Sequence, residues 1–314
     1  MLSRLIAVFV FSILVSGCLE SPPRLNTSEQ IPETVEDSAP ILSKGDYWLS
    51  AMTINAEWLW DFDDDIDGNV LDADDIPSID EYWEEIEYFA SLIEDNGATI
   101  VALQEIEGCH IADDLRSVLE TGVWHTICLP GRDTFTGQDV AIISQFPVVY
   151  GPTTFPDTWG EYGESRVRPS KIIGAVVDTP HGRMAVIATH LLSKLNPAND
   201  ERRAAQADAV LTNYYYLAEQ PGVVHGLVMG DLNDTPGSVP LTVLTSTGTL
   251  KNTLYAGGRV ATAVDCSYTF QGQCDLIDHI LKTDSLGGGE FSVISTDRKY
   301  TDHQAVAYRL ELAD

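Results

Sequence analysis

The chain has 314 residues, 44 % of them hydrophobic, and 48 acidic against 18 basic side chains give it a formal charge of −30. Such a surface repels polyanions at low salt, which disfavours a protein that grips nucleic acid through many Lys and Arg contacts. No basic residue occurs between Lys44 and Arg116, and adaptation to solubility or high salt accounts for that stretch more simply than a binding role.

From the N-terminus, Arg4 is followed by the apolar run Leu5 to Val15 and then by small residues, the order of a secretory signal peptide spanning 1–17. At about 11 residues the run is too short for the roughly 20 that span a bilayer. Val15-Ser16-Gly17-Cys18 resembles the bacterial lipobox, whose cysteine becomes an acylated N-terminus; an ordinary signal peptide with an incidental cysteine is the alternative. Residues 18–44 are rich in Pro, Ser, Thr and Glu without apolar periodicity, as a lipidated tether would be. Residues 45–314 then form a body of about 270 residues, suited to a single large domain. The expected location is the bacterial cell envelope, lipid-anchored on the periplasmic or cell-surface side, with no protein partner implied.

Short apolar, β-branched runs recur through the body at 51–56, 99–103, 140–144, 172–177, 184–189, 227–230 and 276–281, interleaved with helical patterns. The class is α/β or α+β. Ser78-Ile79-Asp80-Glu81 fits a capping box, with Trp83, Ile86, Ala90 and Ile93 at helical spacing before Gly97. The runs 172–177 and 184–189, joined through Thr179-Pro180-His181-Gly182, read as a hairpin, so the sheet is mixed. Five cysteines less Cys18 leave four, and short local loops favour pairing Cys109 with Cys128 and Cys266 with Cys274; a zinc site is the competing reading, though no Cys-x-x-Cys pair occurs.

Polar residues recur at the ends of these runs. Asn55 ends the first, Gln104-Glu105 the second, His190 the hairpin and Gly230-Asp231-Leu232-Asn233-Asp234 the next strand. Asp278 lies inside Leu276–Leu281, and Asp302-His303 opens the last strand. Each alone is an ordinary turn or surface residue, but loops at strand ends are where functional groups concentrate. Asp63-x-Asp65-x-Asp67-Gly68 repeats acidic positions as calcium loops do, yet a strand precedes it and Asp74 stands at the twelfth place, so a solvated acidic insertion is the simpler reading of Asp63, Asp65 and Asp67.

The segments Thr53-Ile54-Asn55-Ala56-Glu57, Val101-Ala102-Leu103-Gln104-Glu105, Asp139–Ser144, Ala188-Thr189-His190-Leu191, Gly230-Asp231-Leu232-Asn233, Ile277-Asp278-His279-Ile280-Leu281 and Thr301-Asp302-His303 follow in the order of the endonuclease/exonuclease/phosphatase superfamily, which the chain resembles. The resemblance implies a four-layer sandwich of two packed mixed β-sheets flanked by helices, with the site at one end. It also implies a divalent-metal-dependent hydrolase that cleaves a phosphoester, typically a phosphodiester, by water attack. A hard cation with oxygen ligands suits the charge that develops on phosphate oxygens. Glu105 is the first expected ligand, Asn55 and Asp302 complete or orient the shell, and Mg²⁺, or Mn²⁺ in its place, fits such a set. Asp231 would orient or deprotonate the water and Asn233 would donate to phosphate. His303 paired with Asp278, together with His190, would stabilise phosphate oxygens or transfer protons. Arg168 before Pro169 is a candidate phosphate contact, with Arg166 an equal rival. The substrate, whether small molecule, lipid or nucleic acid, stays open; an extracellular nuclease is the named alternative, and a catalytically silent binding protein the further one. The loops 61–78, 130–137 and 153–168 are expected to choose the substrate.

Overall fold

A computed structural model describes residues 47–62, 76–133 and 136–311. The tether, Cys18 and the acidic repeat at Asp63, Asp65 and Asp67 lie outside the described residues. In chain order the first half forms β1 (Tyr47–Leu59), α1 (Ile79–Asp95), β2 (Ile100–Ile106), α2 (Cys109–Val118), β3 (His125–Ile127), β4 (Asp139–Ser144), β5 (Val148–Thr153), β6 (Gly160–Tyr162) and β7 (Ser165–Val167). The hairpin β8 (Lys171–Thr179) and β9 (Gly182–His190) follows, then α3 (Asp200–Ala218), β10 (Val223–Asp231), α4 (Val239–Thr245) and β11 (Leu250–Asn252). The chain closes with β12 (Tyr268–Phe270), β13 (Gln273–Asp275), β14 (Asp278–Thr283), β15 (Glu290–Ile294) and β16 (Ala305–Glu311).

Two six-stranded sheets carry the fold, in the orders β15-β16-β1-β2-β4-β3 and β11-β14-β10-β9-β8-β5. Each contains one parallel pair, β1 with β2 and β9 with β10, among antiparallel neighbours, so both are mixed. Ile142, Ile173, Val186, Met229, Ile280 and Val306 meet between the sheets in one core. On the outer face of the first sheet, Ile86, Phe89 and Ile93 of α1 and Ile111 and Leu115 of α2 cover Met52, Ile54, Val101 and Leu103. On the outer face of the second, Val210, Tyr214 and Leu217 of α3 cover Val176, Ile187 and Val228. The result is the four-layer sandwich expected. Strands buried on both faces read as continuous apolar runs rather than alternating ones, which is why the sequence shows runs.

α1 starts where its capping box requires: Glu81 N donates to Ser78 Oγ at 3.3 Å, and Ser78 N donates to the Glu81 carboxylate at 2.9 Å. Ile86, Ala90 and Ile93 form the apolar stripe as expected, and only its first position differs, with Tyr82 fully buried and Trp83 at the edge of the cluster. Tyr82 takes that place because its hydroxyl donates to Asp114 Oδ2 of α2 at 2.7 Å, satisfying the polar end of a buried ring. The four cysteines come together as Cys109 with Cys128 and Cys266 with Cys274, each with Cα atoms 5.5 Å apart. No helix of the described residues is long and apolar enough to cross a membrane.

Candidate active site

The second sheet builds one wall of the site by register alone. Across β8, β9, β10 and β14 the paired positions are Lys171↔His190, His190↔Asp231 and Asp231↔Asp278. Directly paired residues point to the same face, so an ammonium, an imidazole and two carboxylates stand in one row at the strand ends. Asp278 is the first residue of β14 rather than an interior one, which places its carboxyl at the rim. Gly230, before Asp231, has φ +148, and a Cβ there would sit 1.8 Å from Thr189 O. Only glycine allows β10 to approach β9 so closely, and Gly230→Ala is expected to destabilise the fold by about 3 kcal/mol, read from urea unfolding.

The first sheet supplies the other wall through two irregularities. β1 does not end at Asn55, as expected, but continues to Leu59 after a register shift, with Glu57 and Trp58 at φ 47 and 62. The register of β2 against β4 shifts between Gln104 and Ile106, and Glu105 stands there at φ 60. Such a bulge re-aims a side chain that regular pleating would direct elsewhere. Asn55 then joins the walls: its Nδ2 donates to Glu105 Oε1 at 3.0 Å and to Asp231 Oδ2 at 3.1 Å. Residues 55 and 105 come from one sheet and 231 from the other, so the site lies at the common end of the sandwich.

Asp231 accepts from the Asn233 backbone N–H at 2.7 Å. The Asn233 amide donates to Leu191 O at 2.9 Å and lies 3.0 Å from His190 Nε2, so that ring nitrogen is the acceptor and the proton belongs on Nδ1. His190 is neutral: burial holds its pKa well below the ordinary value, and nearby Lys171 and His303 push the same way. His303 is the opposite case. Burial works against its charge, but Asp278, whose Oδ2 is 2.8 Å from His303 Nδ1, raises the pKa to about 10. A cationic and a neutral imidazole thus flank Asp231, with His303 Nε2 4.0 Å and His190 Nε2 3.6 Å from Asp231 Oδ2. Asp302 Oδ1 is 3.7 Å from His303 Nε2, and the Tyr268 ring packs over His303 at 4.6 Å. His279, the partner of Asp278 in the sequence motif, is structural, lying 3.0 Å from Asn252 Nδ2 and 2.9 Å from Asp234 O.

Sequence reasoning missed Lys171 and Gln138. Gln138 Nε2 donates to Glu105 Oε2 at 2.7 Å, and Lys171 Nζ donates to Gln138 Oε1 at 2.5 Å while pairing with Asp133 Oδ2 at 3.0 Å. This chain of contacts fixes Glu105 Oε2, as Asn55 fixes Oε1. Arg168 lies on the exposed surface. Its Nη1 donates to Pro156 O at 2.9 Å and its guanidinium lies 4.6 Å from the Trp159 ring, while Arg166 pairs with Glu161 at 3.1 Å. The described contacts bring neither arginine to the carboxylate row. A separate group, Asp61, Glu107 and His110, is joined by a 2.8 Å contact between His110 Nε2 and Asp61 Oδ2.

The donor set fits a divalent cation. Glu105, His190 and Asp231 present ligand atoms within 4.8 Å of one another, and so do Asp231, Asp278 and His303. Asp278 Oδ1 is buried without a hydrogen-bond partner. Burial first, then the neighbouring carboxylates, raises Asp231 to about 8 and Glu57 to about 7, and raises Asp302 too. Crowded, desolvated carboxyls with few counter-cations are what a hard cation relieves.

The sequence matches the model of the endonuclease/exonuclease/phosphatase family over residues 84–303. The chain belongs to that family. Among solved structures, it is similar to an endonuclease/exonuclease/phosphatase from Bacteroides vulgatus at 19 % identity and TM-score 0.58, covering 84 % of this chain and 99 % of that one. A Bacteroides thetaiotaomicron mannosyl-6-phosphatase aligns at 15 % identity and TM-score 0.56, covering 84 % and 100 %. The human Nocturnin catalytic domain with bound sulfate aligns at 16 % identity and TM-score 0.55, covering 83 % and 93 %. At these identities the likeness shows the fold. No curated protein matches the sequence. Family members are phosphoester hydrolases, and divalent metals are typical of them.

Proposed function

We propose that the protein hydrolyses a phosphoester by attack of water, with a divalent cation, Mg²⁺ or Mn²⁺, held by Glu105 with Asn55 and Asp302 completing or orienting its shell. The observation that carries this reading is the convergence of Glu105 from one sheet and the row His190, Asp231, Asp278 from the other on one rim, with His303 locked as a cation by Asp278. When bound, the cation supplies Lewis-acid stabilisation of phosphate oxygens. The chain's own residues do the rest. Asp231 orients the attacking water and accepts its proton, and Asn55 and the Asn233 backbone amide hold its carboxylate. His303, charged at neutral pH, faces the phosphate as the cationic partner of its oxygens. His190, neutral and braced by Asn233, stands beside Glu105, its Nε2 3.8 Å from Oε1, and stabilises phosphate oxygens. Lys171 and Gln138 keep Glu105 in one orientation.

Cation-free protein should show a pH signature. Asp231 and Glu57 are held protonated far above their unfolded values of 3.8 and 4.5, to about 8 and about 7. Folding therefore retains protons that the unfolded chain releases, so the contribution of these two groups to stability is full below about pH 4 and is lost as pH rises through 7 and 8. In EDTA the melting temperature is expected to fall by about 5 °C between pH 6 and 9, with Mg²⁺ restoring most of it. A flat profile in EDTA, read by scanning fluorimetry, would contradict the crowded-carboxyl account.

The substrate is tested directly. Protein lacking residues 1–18 is assayed with Mg²⁺ or EDTA against bis(p-nitrophenyl) phosphate, a phosphomonoester, sphingomyelin, plasmid DNA and RNA. EDTA-sensitive turnover of one class confirms the hydrolase and selects its substrate; silence across the panel with an intact fold moves the weight to a binding protein. An extracellular nuclease is the second reading. Its favouring observation is Trp159, 44 % exposed, with the Arg166 and Arg168 guanidiniums 5.0 and 4.6 Å from the ring, a surface on which a base could stack. The overall charge of −30 weighs against it. Export through residues 1–17, a lipid on Cys18, membrane attachment through it and disulfides at the two cysteine pairs belong to the same proposal, and mass spectrometry of the intact membrane-extracted chain tests all of them.

A further inference from the structure

Asp278 Oδ2 and His303 Nδ1 stand 2.8 Å apart, yet the two residues belong to different sheets. Asp278 opens β14 of the second sheet, and His303 stands just before β16 of the first. Apolar packing between sheets is non-directional, whereas a hydrogen bond weakens steeply once its length or angle drifts. A short contact across two sheets is therefore best kept by a polar tie between the two backbones that carry it.

Ser267, fully buried just before the hairpin β12–β13, makes such a tie. Its Oγ accepts the backbone N–H groups of Ile277 at 3.0 Å and of Asp278 at 3.1 Å, which occupies both lone pairs of the hydroxyl. Its carbonyl oxygen accepts from the backbone N–H of Gln304, the residue after His303, at 2.7 Å. One residue thus grips the chain at Asp278 with its side chain and the chain beside His303 with its backbone. The next residue, Tyr268, forms an isolated antiparallel bridge with His303 and lays its ring 4.6 Å from the imidazole. Ser267 is itself braced from both directions. Its N donates to Asp275 O at 3.0 Å, and Asp275 is paired with Lys194. Cys266, beside it, joins Cys274 across the hairpin, and Arg259 Nη1 donates to Asp265 Oδ2 at 2.9 Å on the N-terminal side.

We propose that Ser267 is a positioning residue of the Asp278–His303 pair, setting their contact by fixing the two backbone segments that carry it. The proposal rests on the hydrolase reading for its effect on turnover, and on geometry alone for its effect on the contact. Ser267→Ala removes the acceptor of two buried N–H groups, Ser267→Thr keeps the oxygen, and Ser267→Val has the shape of threonine without it. On the phosphoester that the parent turns over, the alanine and valine variants should lose about 10²-fold in kcat with KM within about threefold, and threonine should recover most of the loss. A second readout needs no turnover. The proton on His303 Nδ1, hydrogen-bonded to a carboxylate, resonates far downfield in the proton spectrum and is identified by its absence in Asp278→Asn. It should be lost or moved upfield in the alanine and valine variants and kept in the threonine variant. Tyr82→Phe, which removes one hydrogen bond between α1 and α2, should match the parent in both readouts and so separates positioning from general loosening. Circular dichroism melts establish which variants are folded. A parent-like resonance in folded Ser267→Ala or Ser267→Val, no recovery with threonine, or failure of both hydroxyl-free variants to fold would overturn the proposal. A parent without turnover on any phosphoester counts against the hydrolase reading instead, and the resonance still decides the role of Ser267.

Discussion

Glu105→Ala is expected to lower kcat by about 10³-fold or more on whichever phosphoester the protein turns over, because it removes the carboxylate that the β2 bulge aims at the proposed cation position. Asn55 holds Oε1 at 3.0 Å and Gln138 holds Oε2 at 2.7 Å, so the side chain is fixed before any cation arrives. A residue that only braced the fold would lower stability and leave the Mg²⁺ dependence unchanged. A metal-holding residue should instead leave the melting temperature in EDTA nearly as it was, or raise it by removing one of the crowded charges, and abolish its rise on adding Mg²⁺. Turnover within tenfold of the parent, with the Mg²⁺ response intact, would remove Glu105 from the metal site.

Asp278→Asn is the second large effect, and it is legible in a pH profile. With Asp278 present, His303 keeps its proton up to about pH 10, against the opposing influence of burial. An amide in its place removes the largest attraction and leaves burial opposed only by Asp231 and Asp302, so the His303 pKa falls. The alkaline limb of kcat/KM should then move from near pH 10 toward neutrality, with a loss of about tenfold or more at pH 9. A uniform loss at all pH values, with the limb unmoved, would mean that Asp278 only supports the structure.

Much of the site was legible because the residues that carry it stand beside recognisable apolar runs. The capping box at Ser78, the hairpin at Thr179–Gly182 and the order of the motifs from Asn55 to His303 are local features, set by propensity, turn chemistry and burial of strands on both faces. Lys171 was equally legible and was missed. Pairing of Thr179 with Gly182 forces Lys171 opposite His190 in the same ladder, but a lysine before a strand reads as a solvated residue until the far side of the ladder is known. Arg168 drew attention by its place before Pro169, and its guanidinium engages Pro156 O and the Trp159 ring, contacts that no local pattern announces.

The sequence by itself determined the mixed α/β class, the capping of the first helix, the hairpin and the residue types at the rim, since these follow from spacing along a few residues; the layer architecture followed from the family resemblance. Only the tertiary structure decided that Glu105 turns into the site through a bulge, that Asn55 spans two sheets to reach Asp231, and that His303 is cationic while His190 is neutral. Those outcomes depend on how closely two separately specified sheets pack and on which charges the packing buries together. A distance across an interface, and the dielectric at its end, are properties of the assembled layers and of no segment within them.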